Sequence, residues 1–394
     1  MKTSAVICEL NPLHYGHVYI FEKARDNADC VIAIMSGNFV QRAEPAIIDK
    51  YARAEMALSA GADLVLELPF PWCAASAEYF AKAGTHIAAA LAADSLTFGV
   101  NVADTDVLWR FAEFLNTSEA QIEIQRLSND SEPSTGIATI REKCLKSKFG
   151  DVSSEILHSP NDILAVEYLR QILKNVYSLK PYIHKRVSTQ DNPNFLGATG
   201  IRTLLHTDEL PRAKQHVPDY VYKKLSDALS TGDCAFPEKF SEIAFNSLRT
   251  NKAPQKENVA EGNGGLLSRI CNAANKAAST DEMLELAKTK KYTNARIRRV
   301  LLYYLLQITP DMLKDTPRVA TVLAANETGC ACLSAQRKSD AITLLTKPAN
   351  YRLLDEYTRF QYEHTQRADR LYTLCRQTIV PADYYLKKSP YIKK

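Results

Sequence analysis

The 394-residue chain has no uninterrupted apolar run of the ~18 or more residues that a membrane-spanning helix needs, and no signal-peptide pattern at its N-terminus. Its nine cysteines are scattered and odd in number, and Cys330 and Cys332 form the only close pair. A single Cys-x-Cys pair is a poor zinc signature, and scattered thiols are typical of a reducing compartment. We therefore expect a cytoplasmic protein without membrane association, disulfide framework or resident metal.

The sequence also lacks internal repeats, low-complexity tracts and a G-x-x-x-x-G-K-[ST] phosphate loop. Hydrophobic residues make up 46% and charged residues 24%, which is ordinary for a soluble globular protein. A formal net charge of +4 says little about partners by itself. The length allows two or three domains, each able to bury its own core.

Strand and helix patterns alternate through the first hundred residues. Buried-strand runs are "SAVIC", "DCVIAIMSGNF", "DLVLELPF" and "DSLTFG", each followed by a helical pattern, and "SLKPYIHKR" supplies a fifth strand. Strands joined by helices of this length form right-handed crossovers and a parallel sheet. The fold class is therefore α/β, with a Rossmann-like, doubly wound parallel sheet that binds ligands at the carboxyl ends of its strands.

The pattern changes after His206, where amphipathic helical spacing dominates. "PRVATVLAAN" and "DAITLLTK" predict a small strand pair, and "YRLLDEYTRFQYEHTQRADRLYTL" predicts a terminal helix. We expect a nucleotide-binding domain over residues 1–206 and a mainly helical region over 207–394.

The loop "ELNPLHYGH" follows the first predicted strand and places His14 and His17 around Gly16. If the helix begins near Tyr15, both histidines lie at its N-terminus, where unpaired N–H groups and the helix dipole favour a phosphate. Two imidazoles there can donate hydrogen bonds to phosphate oxygens as charge develops. A histidine pair usually reflects packing. In this position, however, it resembles the H-x-G-H signature of the adenylyl-transferring HIGH-type superfamily, and we predict that His14 and His17 are catalytic.

Two further motifs belong to the same predicted edge of the sheet. Ser36, Gly37 and Asn38 end the second strand and can lie across the cleft from the histidines. "GATGIR" resembles the S/T-x-x-I-R phosphate element of cytidylyl- and adenylyltransferases. We expect phosphate or acetate contacts from these two segments, from Ser36, Gly37, Asn38, Thr199 and Arg202. A helix N-cap is the alternative role of Thr199, and both roles can coexist.

A basic run, "KTKKYTNARIRR", spans residues 288–299 and holds six basic residues and no acidic one. Lys288, Lys291 and Arg298 can share a helical face that tracks phosphates, and Tyr292 could stack on a base. A solvated basic surface is the alternative. We predict an RNA-binding segment containing Lys288, Lys291, Tyr292, Arg298 and Arg299.

Several long segments together are similar to the bacterial tRNA(Met) cytidine acetate ligase family. They are "ELNPLHYGH", "VIAIMSGNFVQRAEPAIIDKYARAEMALSAGADLVLELPF", "SAEYFAKAG", "SPNDILAVEYL" and "KKYTNARIRRVLL". The resemblance runs from the first strand past residue 300. It implies a ligase that activates acetate with ATP, forming acetyl-adenylate and pyrophosphate, and then acetylates N4 of the wobble cytidine of elongator tRNA(Met).

The resemblance also implies which residues bind ATP, with Mg²⁺ accompanying the nucleotide. Carried onto matching positions, the ATP contacts are Ile7, Cys8, Glu9, Leu10, Asn11, Pro12, Leu13, His14, Tyr15, Gly16, His17, Val18, Tyr19, Ile20, Gly99, Asn161 and Arg186. For Arg186, which follows a strand end, an ordinary surface arginine is the alternative interpretation. No nucleophilic cysteine or serine is expected, because acetyl-adenylate is already activated.

The chain departs from the family pattern at three places. Leu10 and Leu13 stand where an aromatic residue is expected, Ala43 replaces glycine in "QRAEPA", and "RVSTQDNPN" replaces "RIGAGYHD" after the fifth strand. Two other functions stay open at this point. One is a nucleotidylyltransferase acting on a small molecule, and the other is a noncatalytic RNA-binding protein that kept the nucleotide fold. The sequence does not predict the oligomeric state.

Overall fold

The computed structural model describes residues 1–131, 135–150, 152–186, 196–207, 209–251, 258–289, 292–336 and 341–393. Within these ranges the strands belong to a single sheet. They are β1 (Thr3–Cys8), β2 (Cys30–Ser36), β3 (Leu64–Leu68), β4 (Ser95–Val100), β5 (Lys180–Lys185), β6 (Val319–Ala325), β7 (Thr343–Leu345) and β8 (Tyr391–Ile392).

The strand order β5-β4-β1-β2-β3 is that of a doubly wound sheet, and all four pairings within it are parallel. The chain moves outward from β1 to β3, then returns to the other side of β1 for β4 and β5. A crevice opens where the direction of winding reverses, outside the carboxyl ends of β1 and β4. The prediction of a Rossmann-like parallel sheet is confirmed.

Helices cover both faces of the sheet and form most of the remaining chain. They are α1 (Tyr15–Arg25), α2 (Lys50–Ser59), α3 (Ala77–Ala90), α4 (Asp106–Leu115), α5 (Ser118–Asn129), α6 (Ile137–Phe149), α7 (Val152–Leu157), α8 (Pro160–Asn175), α9 (Ala198–His206), α10 (Leu210–Ala213), α11 (Asp219–Thr231), α12 (Pro237–Thr250), α13 (Leu266–Lys276), α14 (Thr280–Ala287), α15 (Asn294–Leu306), α16 (Pro310–Lys314), α17 (Glu327–Gln336) and α18 (Glu356–Cys375).

The predicted C-terminal strand pair extends the first sheet. β6, buried along its whole length, pairs antiparallel with β3, and β7 and β8 pair parallel with β6. Because β3 would otherwise be an edge strand with unpaired N–H and C=O groups, β6 completes its hydrogen bonding. The sheet therefore takes strands from both sides of residue 206, and the division of the chain there remains a prediction about where its activities lie.

A buried ion-pair network joins α18 to the sheet. Lys50 Nζ lies 2.7 Å from both Glu67 Oε1 and Asp369 Oδ2, and all three residues are buried. Asn38 Nδ2 donates to the second oxygen of Asp369 at 2.8 Å. Burial lowers the pKa of Lys50, but Asp369 and Glu67 outweigh it and hold that pKa well above its usual value. The network connects three segments far apart in the sequence.

We expect Lys50→Met to lower the free energy of unfolding by about 3–5 kcal/mol, because it leaves two buried carboxylates without their cation. Lys224→Met is the matched control, since Lys224 pairs with Glu55 at an exposed site, where an ion pair contributes at most about 1 kcal/mol. Urea unfolding of the two variants measures the difference. Equal losses would show that the buried network does not stabilise the junction.

Candidate active site

A cavity of about 210 Å³ opens at the crevice between β1 and β4. Of the predicted ATP contacts, those on its wall are Ile7, Cys8, Glu9, Gly16, His17, Ile20, Gly99, Asn161 and Arg186. The other members of the predicted segment, Leu10 to Leu13, His14, Tyr15, Val18 and Tyr19, do not line this cavity. Leu10 and Leu13 belong to the core, so their apolar side chains replace the expected aromatics there.

The two histidines cap the first helix. His14 is the N-cap residue of α1, and its Nδ1 accepts the N–H of Gly16 at 3.0 Å. His17 Nδ1 accepts the N–H of His14 at 3.2 Å. These reciprocal bonds satisfy two N–H groups that a helix start leaves without partners. The predicted helix start at Tyr15 is confirmed.

The capping bonds also determine the chemistry of the imidazoles. Because Nδ1 accepts a main-chain N–H in each ring, the single proton of the neutral ring lies on Nε2, which is a donor. Burial, with a smaller effect from Arg186, lowers the pKa of His14 to about 3. Burial, His14 and Arg186 lower the pKa of His17 well below its usual value. At neutral pH both rings are therefore uncharged Nε2–H donors at a helix N-terminus.

Gly99, Asn161 and Arg186 also meet on the cavity wall, although the first and the last lie 87 positions apart in the sequence. Arg186 Nη1 donates to Asn161 Oδ1 at 2.9 Å, so the guanidinium is held rather than free on the surface. A Cβ on Gly99 would lie 2.8 Å from Arg186 Cγ. Glycine at this position therefore leaves room for the stem of Arg186.

Glu9 lies at the end of β1 and is held by two main-chain contacts. Its Oε1 accepts the N–H of Gln41 at 2.6 Å, and its carbonyl accepts Arg53 Nη1 at 2.6 Å. Arg53 is fully buried and also donates to the carbonyls of Ser36, Gly37 and Ile48. The guanidinium therefore joins the carboxyl ends of β1 and β2.

The Ser36–Asn38 turn lies behind the cavity wall. Ser36 and Asn38 are buried, and the Asn38 amide donates to Asp369 and accepts the N–H of Lys50. A Cβ on Gly37 would lie 2.6 Å from Glu67 Oε1. These contacts give the turn a supporting position, and the structure does not bring it onto the cavity wall as the sequence suggested.

Thr199 and Arg202 lie at the rim, beside the histidine loop. Arg202 Nη1 donates to the Asn11 carbonyl at 2.7 Å, and Nη2 lies 3.4 Å from Thr199 Oγ1. Arg42, which lines the cavity, lies 3.5 Å from the same hydroxyl. Two guanidinium groups thus converge on the Thr199 hydroxyl, one of them on the cavity wall.

The basic run forms one wall of a second pocket, of about 440 Å³. Arg42 lines both this pocket and the cavity, and Lys288, Tyr292 and Arg298 line the pocket with it. The predicted common helical face is wrong for Lys288, because α14 ends at Ala287 and α15 begins at Asn294. Lys291 lies outside the described residues.

Tyr292 and Arg299 differ from the prediction. Tyr292 is 5% exposed, its hydroxyl donates to the Gly264 carbonyl and Arg296 Cζ lies 5.3 Å from its ring centroid, so little of the ring that borders the pocket is open to a base. Arg299 pairs with Glu261 and lines a separate cavity. Periodicity revealed neither the burial of Tyr292 nor the ion pair of Arg299, since both depend on partners in the segment that precedes α13, Gly264 and Glu261.

Sequence reasoning missed Gln41, Arg42 and Arg53. Gln41 and Arg42 follow β2 and therefore share the carboxyl edge that attracted attention to Ser36–Asn38, so their position could have indicated them. The next residue, Ala43, adopts a φ of 55°, where the family resemblance expects glycine. Arg53 carries no such signal, because nothing in a helical pattern shows that a charged side chain is buried.

Within the described ranges, no helix is both long and apolar enough to cross a membrane. Across the same residues, no three His, Cys, Asp or Glu side chains are grouped so that they could hold a metal ion.

Known proteins resemble the chain over nearly its full length. Residues 1–384 match the family model described as HIGH Nucleotidyl Transferase. The tRNA(Met) cytidine acetate ligase of Caldanaerobacter subterraneus subsp. tengcongensis is 34% identical over 95% of each chain. That of Clostridium tetani is 31% identical over 98% of this chain and 99% of its own.

Solved structures show the same similarity. The crystal structure of Thermotoga maritima TmcAL bound with alpha-thio ATP superposes with a TM-score of 0.92 and 27% identity, covering 100% of this chain and 99% of that one. The apo form of the same protein gives a TM-score of 0.91. On the sequence match, the fold and the histidine-capped cavity together, the chain belongs to the HIGH nucleotidyl transferase family and, within it, to the tRNA(Met) cytidine acetate ligases.

Proposed function

We propose that this protein is an ATP-dependent tRNA(Met) cytidine acetate ligase. It activates acetate as acetyl-adenylate and acetylates N4 of the wobble cytidine of elongator tRNA(Met), producing N4-acetylcytidine. The observation that carries the proposal is the neutral Nε2–H donor of His17 at the N-terminus of α1, on a cavity wall that also holds Gly99, Asn161 and Arg186. The relatives named above carry the same activity in their names. Because the proposed substrate is a tRNA, we propose that the protein acts in the cytoplasm.

The first step needs positioning more than covalent chemistry. An acetate oxygen attacks the α-phosphorus of ATP, the bond to the β-phosphate bridging oxygen breaks, and pyrophosphate leaves. His17, with His14 behind it, and the N–H groups of α1 would stabilise the charge that develops on the phosphates. Arg42 and Arg202 at the rim would bind the departing pyrophosphate. Mg²⁺ would accompany the phosphates, whose oxygens are the ligands that it prefers.

The wobble cytidine would enter from the second pocket. Lys288 and Arg298 lie there, and Arg42 connects that pocket with the cavity. In a single-stranded anticodon loop, a base leaves its stack at small cost. Cations at this position can bind the phosphates on either side of the extruded base.

Incubation with ATP, labelled acetate and total tRNA, followed by nucleoside analysis, tests the whole proposal. We expect label in N4-acetylcytidine only when ATP is present, with AMP and pyrophosphate released. A nonhydrolysable α,β-linked ATP analogue should block the reaction. Labelling from acetyl-CoA without ATP would contradict the mechanism. Acetate-independent pyrophosphate exchange with no RNA product would instead indicate a nucleotidylyltransferase acting on a small molecule.

We expect His14→Asn and His17→Gln to slow acetate-dependent ATP–pyrophosphate exchange by ~10²-fold or more, because the second removes the ring donor to the developing phosphate charge and the first removes the ring that lies 4.0 Å from it. Asn at N-cap and Gln at N3 keep the helix cap, so the loss would not reflect a frayed helix. His86→Gln is the control, since His86 is a half-buried histidine away from the cavity. Wild-type rates of exchange in both the His14 and the His17 variant would show that the histidines do not take part in catalysis.

We expect Lys288→Gln to weaken tRNA binding and to reduce the slope of log affinity against log salt by about 0.7–0.9, the value of one lost phosphate contact. Lys314→Gln is the matched control: both lysines are exposed and pair with a carboxylate three residues earlier, but Lys314 lies outside the pocket. Fluorescence anisotropy over a salt series measures both slopes. Equal slopes for the two variants would show that the RNA-binding surface does not include Lys288.

A further inference from the structure

The second step of the proposed reaction requires a proton acceptor. The lone pair of a cytidine N4 amine is delocalised into the ring, so the amine attacks an acyl carbon effectively only as its proton is withdrawn. A positioned base typically accelerates such a transfer by about 10²–10⁴-fold. The acceptor must lie on the cavity wall, must be unprotonated near neutral pH, and must have an oxygen or nitrogen that is not already accepting a hydrogen bond.

The groups on the described cavity wall differ in these respects. Burial raises the pKa of Cys8 to about 12, and burial also raises the pKa of Tyr168 above its usual value, so both keep their protons. His17 uses Nδ1 to accept the N–H of His14, which leaves Nε2 as a donor. Arg42 and Arg186 are cations. Glu9 is the only carboxylate on the wall that the structure describes.

Glu9 is also held in a defined position. Gln41 N–H donates to Oε1 at 2.6 Å, while Oε2 accepts no hydrogen bond among the described residues. Arg53 fixes the Glu9 carbonyl, and the next residue, Leu10, adopts a φ of 51° and turns into the core. The left-handed conformation is unfavourable for leucine, so the surrounding contacts over-determine this turn. The Glu9 carboxylate is therefore held in a fixed position, and its Oε2 is available to accept a proton.

A carboxylate is otherwise unexpected in a cavity for a polyanion, since it repels phosphate oxygens. It suits a neutral N–H donor. Burial raises the pKa of Glu9, with the Gln41 N–H and the guanidinium groups of Arg202, Arg42 and Arg53 acting against it. A base with a raised pKa takes a proton more readily than an ordinary carboxylate does. Glu9 also lies next to the entry side, because Gln41 is followed by Arg42, which lines the second pocket.

We propose that the Glu9 carboxylate accepts the N4 proton of the cytidine during acetyl transfer, a role that rests on the function proposed above. The N4 nitrogen forms a bond to the acyl carbon, and the bond between that carbon and the AMP phosphate oxygen breaks. AMP leaves with the electron pair, and the N4 proton passes to Glu9 Oε2. No oxidant or further reactant is needed.

Single-turnover kinetics on the full-length enzyme test this role. Enzyme preloaded with ATP and labelled acetate is mixed with tRNA, and label in cytidine is followed by rapid quench across a pH series. The wild-type transfer rate should rise with pH as Glu9 loses its proton, with an apparent pKa above that of an ordinary glutamate. Glu9→Gln should slow transfer by ~10²-fold or more and lose this pH dependence.

Two comparisons make the result specific. Glu9→Asp keeps a carboxylate that is one methylene shorter, so transfer should be slower than wild type but should keep its dependence on pH. Glu261→Gln is the control, since Glu261 is a partly buried carboxylate on the wall of the separate cavity, and its transfer rate should match wild type. Acetate-dependent pyrophosphate exchange, measured in each variant, reports the first step.

Each remaining outcome has a definite meaning. If Glu9→Gln transfers at the wild-type rate with the wild-type pH profile, Glu9 is not the proton acceptor, although the proposed function stands. If exchange and transfer fall by the same factor, Glu9 acts on the nucleotide or its Mg²⁺, and the inference is overturned. If the wild-type enzyme labels no cytidine at all, the proposed function fails first.

Discussion

The arrangement of the site depends on Arg53, a buried positive charge that forms no ion pair with a carboxylate among the described residues. The Arg53 guanidinium donates to main-chain carbonyls of Glu9, Ser36, Gly37 and Ile48, so it gathers the chain ends of β1 and β2 around one point. A buried cation is costly unless its donors are satisfied, and carbonyls that lose such a donor are equally costly. The loops at this edge of the sheet can therefore adopt few other arrangements.

The histidine loop shows how one set of atoms can stabilise the fold and prepare the chemistry. The Nδ1 atoms of His14 and His17 satisfy the start of α1, and for that reason the Nε2 atoms carry the protons. Burial keeps the rings neutral, so they donate hydrogen bonds without adding charge to the cavity. Capping and phosphate binding are then two uses of the same geometry.

The C-terminal half contributes to this site from behind. β6 covers the open edge of β3, and Asp369 of α18 pairs with Lys50, one helical turn before Arg53. Asn38, held between Asp369 and the N–H of Lys50, links that network to the end of β2. The nucleotide cavity therefore depends on residues that lie more than three hundred positions away in the sequence.

The sequence alone determined the parallel sheet, the helix start at Tyr15 and the motif that lies on it, because these depend on periodicity, capping and short-range order. It could also place Gly99, Asn161 and Arg186 through a family resemblance. Only the tertiary structure decided that Tyr292 is buried, that the Ser36–Asn38 turn lies off the cavity wall, and that Arg42 faces the cavity. The physical reason is that the burial of a polar side chain depends on which distant segment packs against it. Local periodicity does not indicate which segment that is.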